Sequence, residues 1–169
     1  SFEIATELAP NISLVFNQNA GFQPRLWDKL KKSVNYIRSK GYRVDGIGWQ
    51  GHLLLSKSTY SFVNDLDKGI KDLSNLIDWA HENDLDFHVT ELDYFVEDKS
   101  NLNNDLLDQK MIYSRIIKLL KDKSKNGIVT LNFWDMGERF KKGKGYFQSI
   151  YSKELEPNPS YELLNNILK

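Results

Sequence analysis

The sequence predicts an α/β fold built on a parallel sheet. Short apolar, β-branched runs alternate along the chain with helical stripes, and this βα period recurs about every 40 residues. Each strand-type run also ends in polar or aromatic residues at the same, carboxyl end. Such alternation fits an open doubly wound sheet or part of a barrel, and both collect ligands at the carboxyl ends of their strands.

Phe2, Ile4, Ala5 and Leu8 mark the apolar face of a first helix, which Pro10 stops. Residues 12–16 (ISLVF) are a β-branched run of buried-strand type. A helix is expected over 24–40, with Leu26, Leu30, Val34 and Ile37 on one face and Gly41 as its left-handed terminator. The second strand is VDGIGWQ, 44–50, whose two glycines leave little side chain on one face. A long helix over about 62–82 carries Leu66, Ile70, Leu73, Ile77 and Ala80 as its stripe. LDFHVTELD, 85–93, is the third strand, and a polar loop follows over 97–104. The next helix, 106–123, carries Ile112, Ile116, Leu119 and Leu120. Gly127 introduces the fourth strand, IVTLNFW, and a loop rich in Lys and Gly leads to a last helix over 160–169. Neither a low-complexity linker nor a second domain is legible, so 1–169 is expected to form one unit.

Composition narrows the chemistry. The 169 residues carry 23 Lys and Arg against 23 Asp and Glu, which removes the long-range pull toward nucleic acid or anionic lipid. With no cysteine there is no disulfide framework, thiolate metal site or Cys nucleophile. No apolar run approaches the ~18 residues of a membrane span.

The strand ends read Asn17-Gln18-Asn19, Gln50-Gly51-His52, Glu91-Leu92-Asp93 and Trp134-Asp135. Side chains alternate faces along a strand, so Gln50 shares a side with His52, and Glu91 with Asp93. On parallel neighbours the two pairs can meet at one depth. Asp93 would then fix the tautomer and tilt of His52, and His52 would hold Glu91 in one rotamer and stabilise its anion. Such an anion suits a nucleophile or an electrostatic stabiliser; an ordinary solvated strand-end acid is the competing reading. Trp134 suits stacking on a sugar ring, with core packing as its alternative. Trp27, Trp49 and Trp79 read as packing, with Trp49 pointing away from the Gln50 and His52 side. His81 reads as a surface or capping residue, and His88 as packed within its strand. The run Lys141-Lys142-Gly143-Lys144-Gly145 lacks the spacing of a phosphate loop and reads as a solvated loop.

Four segments together carry a resemblance. VDGIGWQGHL (44–53), VTELD (89–93), LNFWD around Trp134 and the tail YFQSIYSKELEPNPSYELL are similar to the second half of glycoside hydrolase family 10. These enzymes are (β/α)8 endo-1,4-β-xylanases. The opening FEIATELAPNISLVFNQN resembles the family's passage from fourth helix to fifth strand. The resemblance implies strands 5–8 of a (β/α)8 TIM barrel: four parallel strands alternating with helices. It implies Glu91 as the nucleophile of a retaining mechanism, His52 and Asp93 as its supports, Asn17 and Gln50 as cleft-lining groups, and Trp134 beside the sugar at the cleaved bond. No metal or organic cofactor is implied. The chain departs from the family's usual pattern at two places. Asn17-Gln18 stands where an Asn-Asp pair is usual. A second cleft tryptophan beyond Trp134 is missing from a shortened segment in which Phe140 is the nearest aromatic.

The family's acid/base glutamate, in an Asn-Glu pair after the fourth strand, is expected to lie outside this chain. A retaining glycosidase needs two carboxyls ~5–5.5 Å apart, and the full fold typically takes ~250 residues. The isolated chain is therefore expected to show negligible xylanase activity. Two sources could complete it. One is an N-terminal half barrel; the other is a second copy, closing the barrel by two-fold symmetry and bringing Asp135 or Glu138 of the partner subunit opposite Glu91. Xylan or xylo-oligosaccharide is the expected ligand, and an extracellular location follows only from the size of the polymer. Two other functions compete: a non-catalytic carbohydrate-binding half barrel, and an open α/β binding domain of the response-regulator kind. The last expects an acidic cluster after the first strand, where Asn17-Gln18-Asn19 supplies none.

Overall fold

The computed structural model describes residues 1–18, 24–55, 62, 63, 65–96, 102–135, 137, 139–141 and 145–167. They form α1 (Phe2–Leu8), β1 (Val15–Gln18), α2 (Pro24–Ser39), β2 (Gly46–Trp49), β3 (His52–Leu55), α3 (Leu66–Glu82), β4 (Asp86–Val96), α4 (Leu102–Lys123), β5 (Val129–Phe133), β6 (Arg139–Lys141), β7 (Gly145–Gln148) and α5 (Pro159–Ile167). β1, β2, β4 and β5 pair side by side, all parallel, and correspond to the four expected strands. Helices lie between them in sequence, and α3, α4 and α5 pack in series.

β4 organises the sheet. Its first part pairs with β2 and β5, while its last part pairs with β3 in parallel and with β7 antiparallel. β6 and β7 form an antiparallel hairpin beyond it. These three short strands were not expected. Of the run 141–145 expected as a solvated loop, Lys141 ends β6 and Gly145 begins β7; residues 142–144 lie outside the described residues.

Boundaries differ from expectation where side chains rather than periodicity decide. The first strand begins at Val15 rather than at residue 12. Ile12 is exposed, and Arg43 donates to the carbonyls of Pro10 and Ile12 at 2.6 Å each, so the chain turns there. Asp45 accepts from the Leu14 amide at 2.8 Å and from Arg43 at 2.8 Å, and this pair holds the Asp45 carboxyl below its ordinary pKa. α3 begins at Leu66, where Asp65 caps the Lys68 amide. α4 begins at Leu102, four positions before the expected start.

Gly41 ends α2 as expected. Its φ is +80°, its amide bonds the Arg38 carbonyl and the Tyr42 amide bonds the Ile37 carbonyl, which is the Schellman arrangement. The core lies between helices and sheet: Trp27, Leu30 and Val34 from α2, Leu73, Leu76, Ile77 and Ala80 from α3, and Ile112, Tyr113, Ile116 and Ile117 from α4. They cover Ile47, Trp49, Phe87, Val89 and Leu92 of the strands. Each fully buried large side chain of this kind contributes roughly 1.5–3 kcal/mol. The opposite sheet face is polar, and it leads upward to the site.

Candidate functional site

The parallel register sets β2 and β4 together as Gly46↔Asp86 through Trp49↔Val89, and β3 and β4 as His52↔Asp93. Between these pairings β4 carries one residue more than its neighbour. The pairing with β5 slips over the same stretch, from Val89↔Leu131 to Leu92↔Phe133. A β-bulge at 90–92 is therefore seen by both flanking strands. It also switches which parity is buried: Phe87 and Val89 below, Leu92 and Tyr94 above. The bulge bends the strand and re-aims Glu91 at its centre, a use of bulges that recurs beside functional sites.

Glu91 meets His52, as expected, and also Gln50, which was expected only to line the cleft. Gln50 Nε2 donates to Glu91 Oε1 at 2.8 Å, and His52 Nε2 lies 3.2 Å from Glu91 Oε2. The other imidazole nitrogen, Nδ1, lies 3.0 Å from Asp93 Oδ1. The Asp93 side chain is 1% exposed and that of Glu91 17% exposed, so the chain of three runs from the interior to an accessible carboxylate. Only an imidazolium donates to both carboxylates at once. The hydrogen bond to Asp93, and then the negative charges of Asp93 and Glu91, raise the His52 pKa above 6.5 against the opposing effect of burial.

Trp134 stands at the end of β5 with its amide bonded to the Leu92 carbonyl at 2.9 Å. The residue is 44% exposed, and its ring meets the His52 ring edge-on, at 6.4 Å and 83°. It thus walls the site and leaves a face for a ligand. Trp27 and Trp49 are buried, and the Trp49 ring packs at a 34° tilt against Phe62, with centroids 5.9 Å apart. Trp79 lies beneath the Lys31 ammonium, 5.3 Å from its ring centre.

Among the described residues Asn17 makes no hydrogen bond to Glu91, Gln50 or His52. It sits one strand over, accepting from Thr90 Oγ1 at 3.1 Å, one residue before Glu91. The glycines of β2 make the approach possible: a Cβ on Gly48 would stand 2.7 Å from Asn17 Oδ1, and one on Gly46 2.9 Å from His88 Nε2. His88 packs against Thr130, Nδ1 to Oγ1 at 2.8 Å, and the His81 ring lies against Gly127, while Asn83 takes the C-cap of α3. Glu138 lies outside the described residues, as do Asn19 and the side chain of Phe140. No group of His, Asp and Glu among the described residues has the arrangement of a metal centre.

Three features escaped sequence reasoning. One is the bulge. Another is Tyr113 of α4, fully buried, whose hydroxyl is pushed well above its ordinary pKa by burial and by the nearby Asp93 charge. The third is a buried amide and hydroxyl cluster formed by Gln109, Ser149, Asn158 and Ser160, joined to the Asp135 carbonyl through Ser149. The pair Asn158-Pro159 was its one local signal, a capping residue followed by the proline that favours a first helical position.

Comparison with known proteins gives a consistent picture. The model of the family described as "Glycosyl hydrolase family 10" matches residues 1–166. Endo-1,4-beta-xylanase A of Thermotoga neapolitana is 27% identical over 146 residues, covering 83% of this chain and 13% of that protein. Endo-1,4-beta-xylanase B of Paenibacillus barcinonensis is 24% identical over 176 residues, 95% of this chain and 50% of that protein. Among solved structures, the GH10 structure from Paenibacillus barcinonensis superposes with a TM-score of 0.79 at 20% identity, over 98% of this chain and 49% of that one. An intracellular xylanase of Thermoanaerobacterium saccharolyticum, a point mutant in complex with xylotetraose, gives 0.67 at 23% identity, over 96% and 47%. The chain therefore spans about half the length of these last three proteins. The shared fold is that of strands 5–8 of a (β/α)8 barrel, followed here by β1, β2, β4 and β5.

Proposed function

Because the chain belongs to glycosyl hydrolase family 10, we propose that residues 1–169 form part of one catalytic barrel that hydrolyses β-1,4-xylosidic bonds with net retention. The observation that carries this reading is the hold on Glu91. One oxygen receives the Gln50 amide, the other faces His52, and the carboxylate opens beside an exposed tryptophan.

Glu91 is the nucleophile. Its carboxylate attacks the anomeric carbon while the glycosidic oxygen leaves with a proton from a second carboxyl, giving a glycosyl-enzyme ester. Water, deprotonated by that same second group, then attacks the anomeric carbon, and the Glu91 carboxylate is released with the original configuration restored. Gln50 and His52 keep the carboxylate in one rotamer, so little alignment is left to the moment of reaction. Asp93 acts through His52 and touches no substrate. Trp134 stacks on the sugar beside the cleaved bond, and Asn17 lines the cleft floor. The chemistry is that of carboxyl groups on a sugar, with no metal or organic cofactor in any step.

Within the Glu91 cluster the second carboxylate, Asp93, is buried and engaged by His52. The acid/base must therefore come from elsewhere, and a half barrel bearing an Asn-Glu pair after its last strand is the favoured source over a second copy of this chain. Xylan or xylo-oligosaccharide is the substrate. A polymeric substrate places the protein outside the cell; the neighbour described as an intracellular xylanase makes short xylo-oligosaccharides and an internal site the second reading. No described helix is long and apolar enough to cross a membrane.

The test is an assay of the pure 169-residue chain on xylan, alone and mixed with a half barrel carrying family strands 1–4. Activity is expected only in the mixture, since the missing general acid/base alone is worth ~10²–10⁴ in rate. Robust turnover by the chain alone, abolished by Glu91→Gln, would overturn the division of the site.

A further inference from the structure

The buried cluster of Gln109, Ser149, Asn158 and Ser160 has no part in the chemistry above, yet its hydrogen bonds converge on Ser149, whose hydroxyl reaches the carbonyl of the residue after Trp134. Gln109, wholly buried on α4, is engaged at both ends of its amide: Nε2 donates to the Ser149 carbonyl at 3.3 Å, and Oε1 accepts from Ser160 Oγ at 2.6 Å and from Asn158 Nδ2 at 3.5 Å. Asn158 also donates to the Ser149 carbonyl, and its Oδ1 accepts the Ser160 amide at 2.9 Å and the Tyr161 amide at 3.3 Å, capping α5. Two amides thus pin the Ser149 carbonyl. The Ser149 hydroxyl in turn donates to the carbonyl of Asp135 at 2.7 Å.

Asp135 is where this matters. It has φ +64°, in the left-handed region that non-glycine residues enter only at a cost. Such a conformation persists where the surroundings over-determine it. Trp134, immediately before it, has its amide fixed to β4 through Leu92. The Trp134 residue is therefore held from both sides, by the sheet at its amide and by the buried cluster at the next carbonyl.

We propose that Gln109 and Ser149 are positioning residues for the saccharide-binding face: through the Asp135 carbonyl they set the Trp134 ring in its edge-on place beside His52. The role in saccharide binding rests on the function proposed above; the positioning of the ring does not. A cluster that merely stabilised α5 would be indifferent to the Asp135 carbonyl and to the state of the Trp134 ring.

The experiment labels the full chain with 5-fluorotryptophan, whose four fluorine resonances correspond to Trp27, Trp49, Trp79 and Trp134. Trp134→Phe assigns the fourth. Ser149→Ala, which removes a single oxygen, is expected to shift or broaden the Trp134 resonance and leave those of Trp27 and Trp79 in place. Ser149→Thr, which keeps the hydroxyl, restores it. Gln109→Leu is expected to act in the same direction, and Ser149→Ala decides the matter if that variant does not fold. An unmoved Trp134 resonance in folded Ser149→Ala overturns the proposal. Saccharide binding is then read with xylotetraose on the completed barrel carrying Glu91→Gln, which does not turn the ligand over. Ser149→Ala should weaken it about fivefold, the scale of one net hydrogen bond, and have no effect in a Trp134→Ala background. Equal weakening in both backgrounds would refute positioning through the ring. A shifted resonance in a completed barrel that binds no xylotetraose would retain the positioning and refute the saccharide role.

Discussion

Gly48→Ala probes the packing on which the floor of the site depends. The added Cβ would stand 2.7 Å from Asn17 Oδ1 and 3.0 Å from Thr90 Cγ2, against an ordinary contact of 3.4 Å or more. Neither neighbour retreats freely. The backbones are tied by the pairings Asn17↔Gly48 and Gly48↔His88, and Asn17 and Thr90 are bonded to each other at 3.1 Å. Overpacking costs roughly 1–3 kcal/mol, and losing the Asn17–Thr90 bond adds about 0.5–1.5 kcal/mol. The stiffer unfolded chain returns roughly 0.4–1 kcal/mol. The net expectation is a loss of about 1–3 kcal/mol, or a fall in Tm of ~2–12 °C for a chain of this size. Urea and thermal melts followed by circular dichroism measure it. Asn17→Ala removes the nearest clashing atoms, so the cost of Gly48→Ala should fall by at least half in that background. A neutral Gly48→Ala, or an unchanged cost without the Asn17 amide, would refute the close approach of β1, β2 and β4.

Two further outcomes concern the site itself. His52, followed by proton NMR among the three histidines, should titrate above 6.5, and Asp93→Asn should bring it down. The sign is that of a raised folded pKa: its stabilisation is complete below 6.5 and is lost as pH rises through the folded value. Titration at or below the ordinary value, or indifference to Asp93→Asn, would contradict the imidazolium bridge. Trp134→Ala should change stability by no more than ~0.5 kcal/mol, as for an exposed side chain. In the completed barrel carrying Glu91→Gln it should weaken xylo-oligosaccharide binding about three- to tenfold, the scale of ~0.5–1.5 kcal/mol for ring stacking; calorimetry showing unchanged affinity would remove the ring from the binding surface.

What was legible in the sequence was local. Helical stripes at Leu30 and Val34, or at Leu73, Ile77 and Ala80, follow from a period of 3.6 and survive folding unchanged. Gly41 announced its own left-handed turn. The two-residue period placed Gln50 with His52 and Glu91 with Asp93, and all four meet at one end of the sheet. The family resemblance then supplied roles that period alone left open between a nucleophile and a solvated acid. What stayed hidden was non-local. The bulge at 90–92 exists only relative to its two neighbouring strands, so nothing within VTELD betrays it. β3, β6 and β7 are three or four residues long, too short for a periodic signature. The Gln109 cluster joins residues 40 to 51 positions apart, and a buried glutamine on an apolar helix face carries no sequence mark of its partners. Ile12 shows the reverse failure: a β-branched residue in a strand-like run, exposed because Arg43 holds the preceding turn.

The identity of the nucleophile is tested most directly by trapping it. A 2-deoxy-2-fluoro-β-xylobioside with a good leaving group slows release of the glycosyl-enzyme, so the ester accumulates on the attacking carboxylate. In the completed barrel, peptide mapping by mass spectrometry should find one xylobiosyl adduct, on Glu91, formed in step with loss of activity and absent from Glu91→Gln. An adduct on another carboxylate, or a Glu91→Gln protein that is still labelled and still turns over, would contradict Glu91 as the nucleophile.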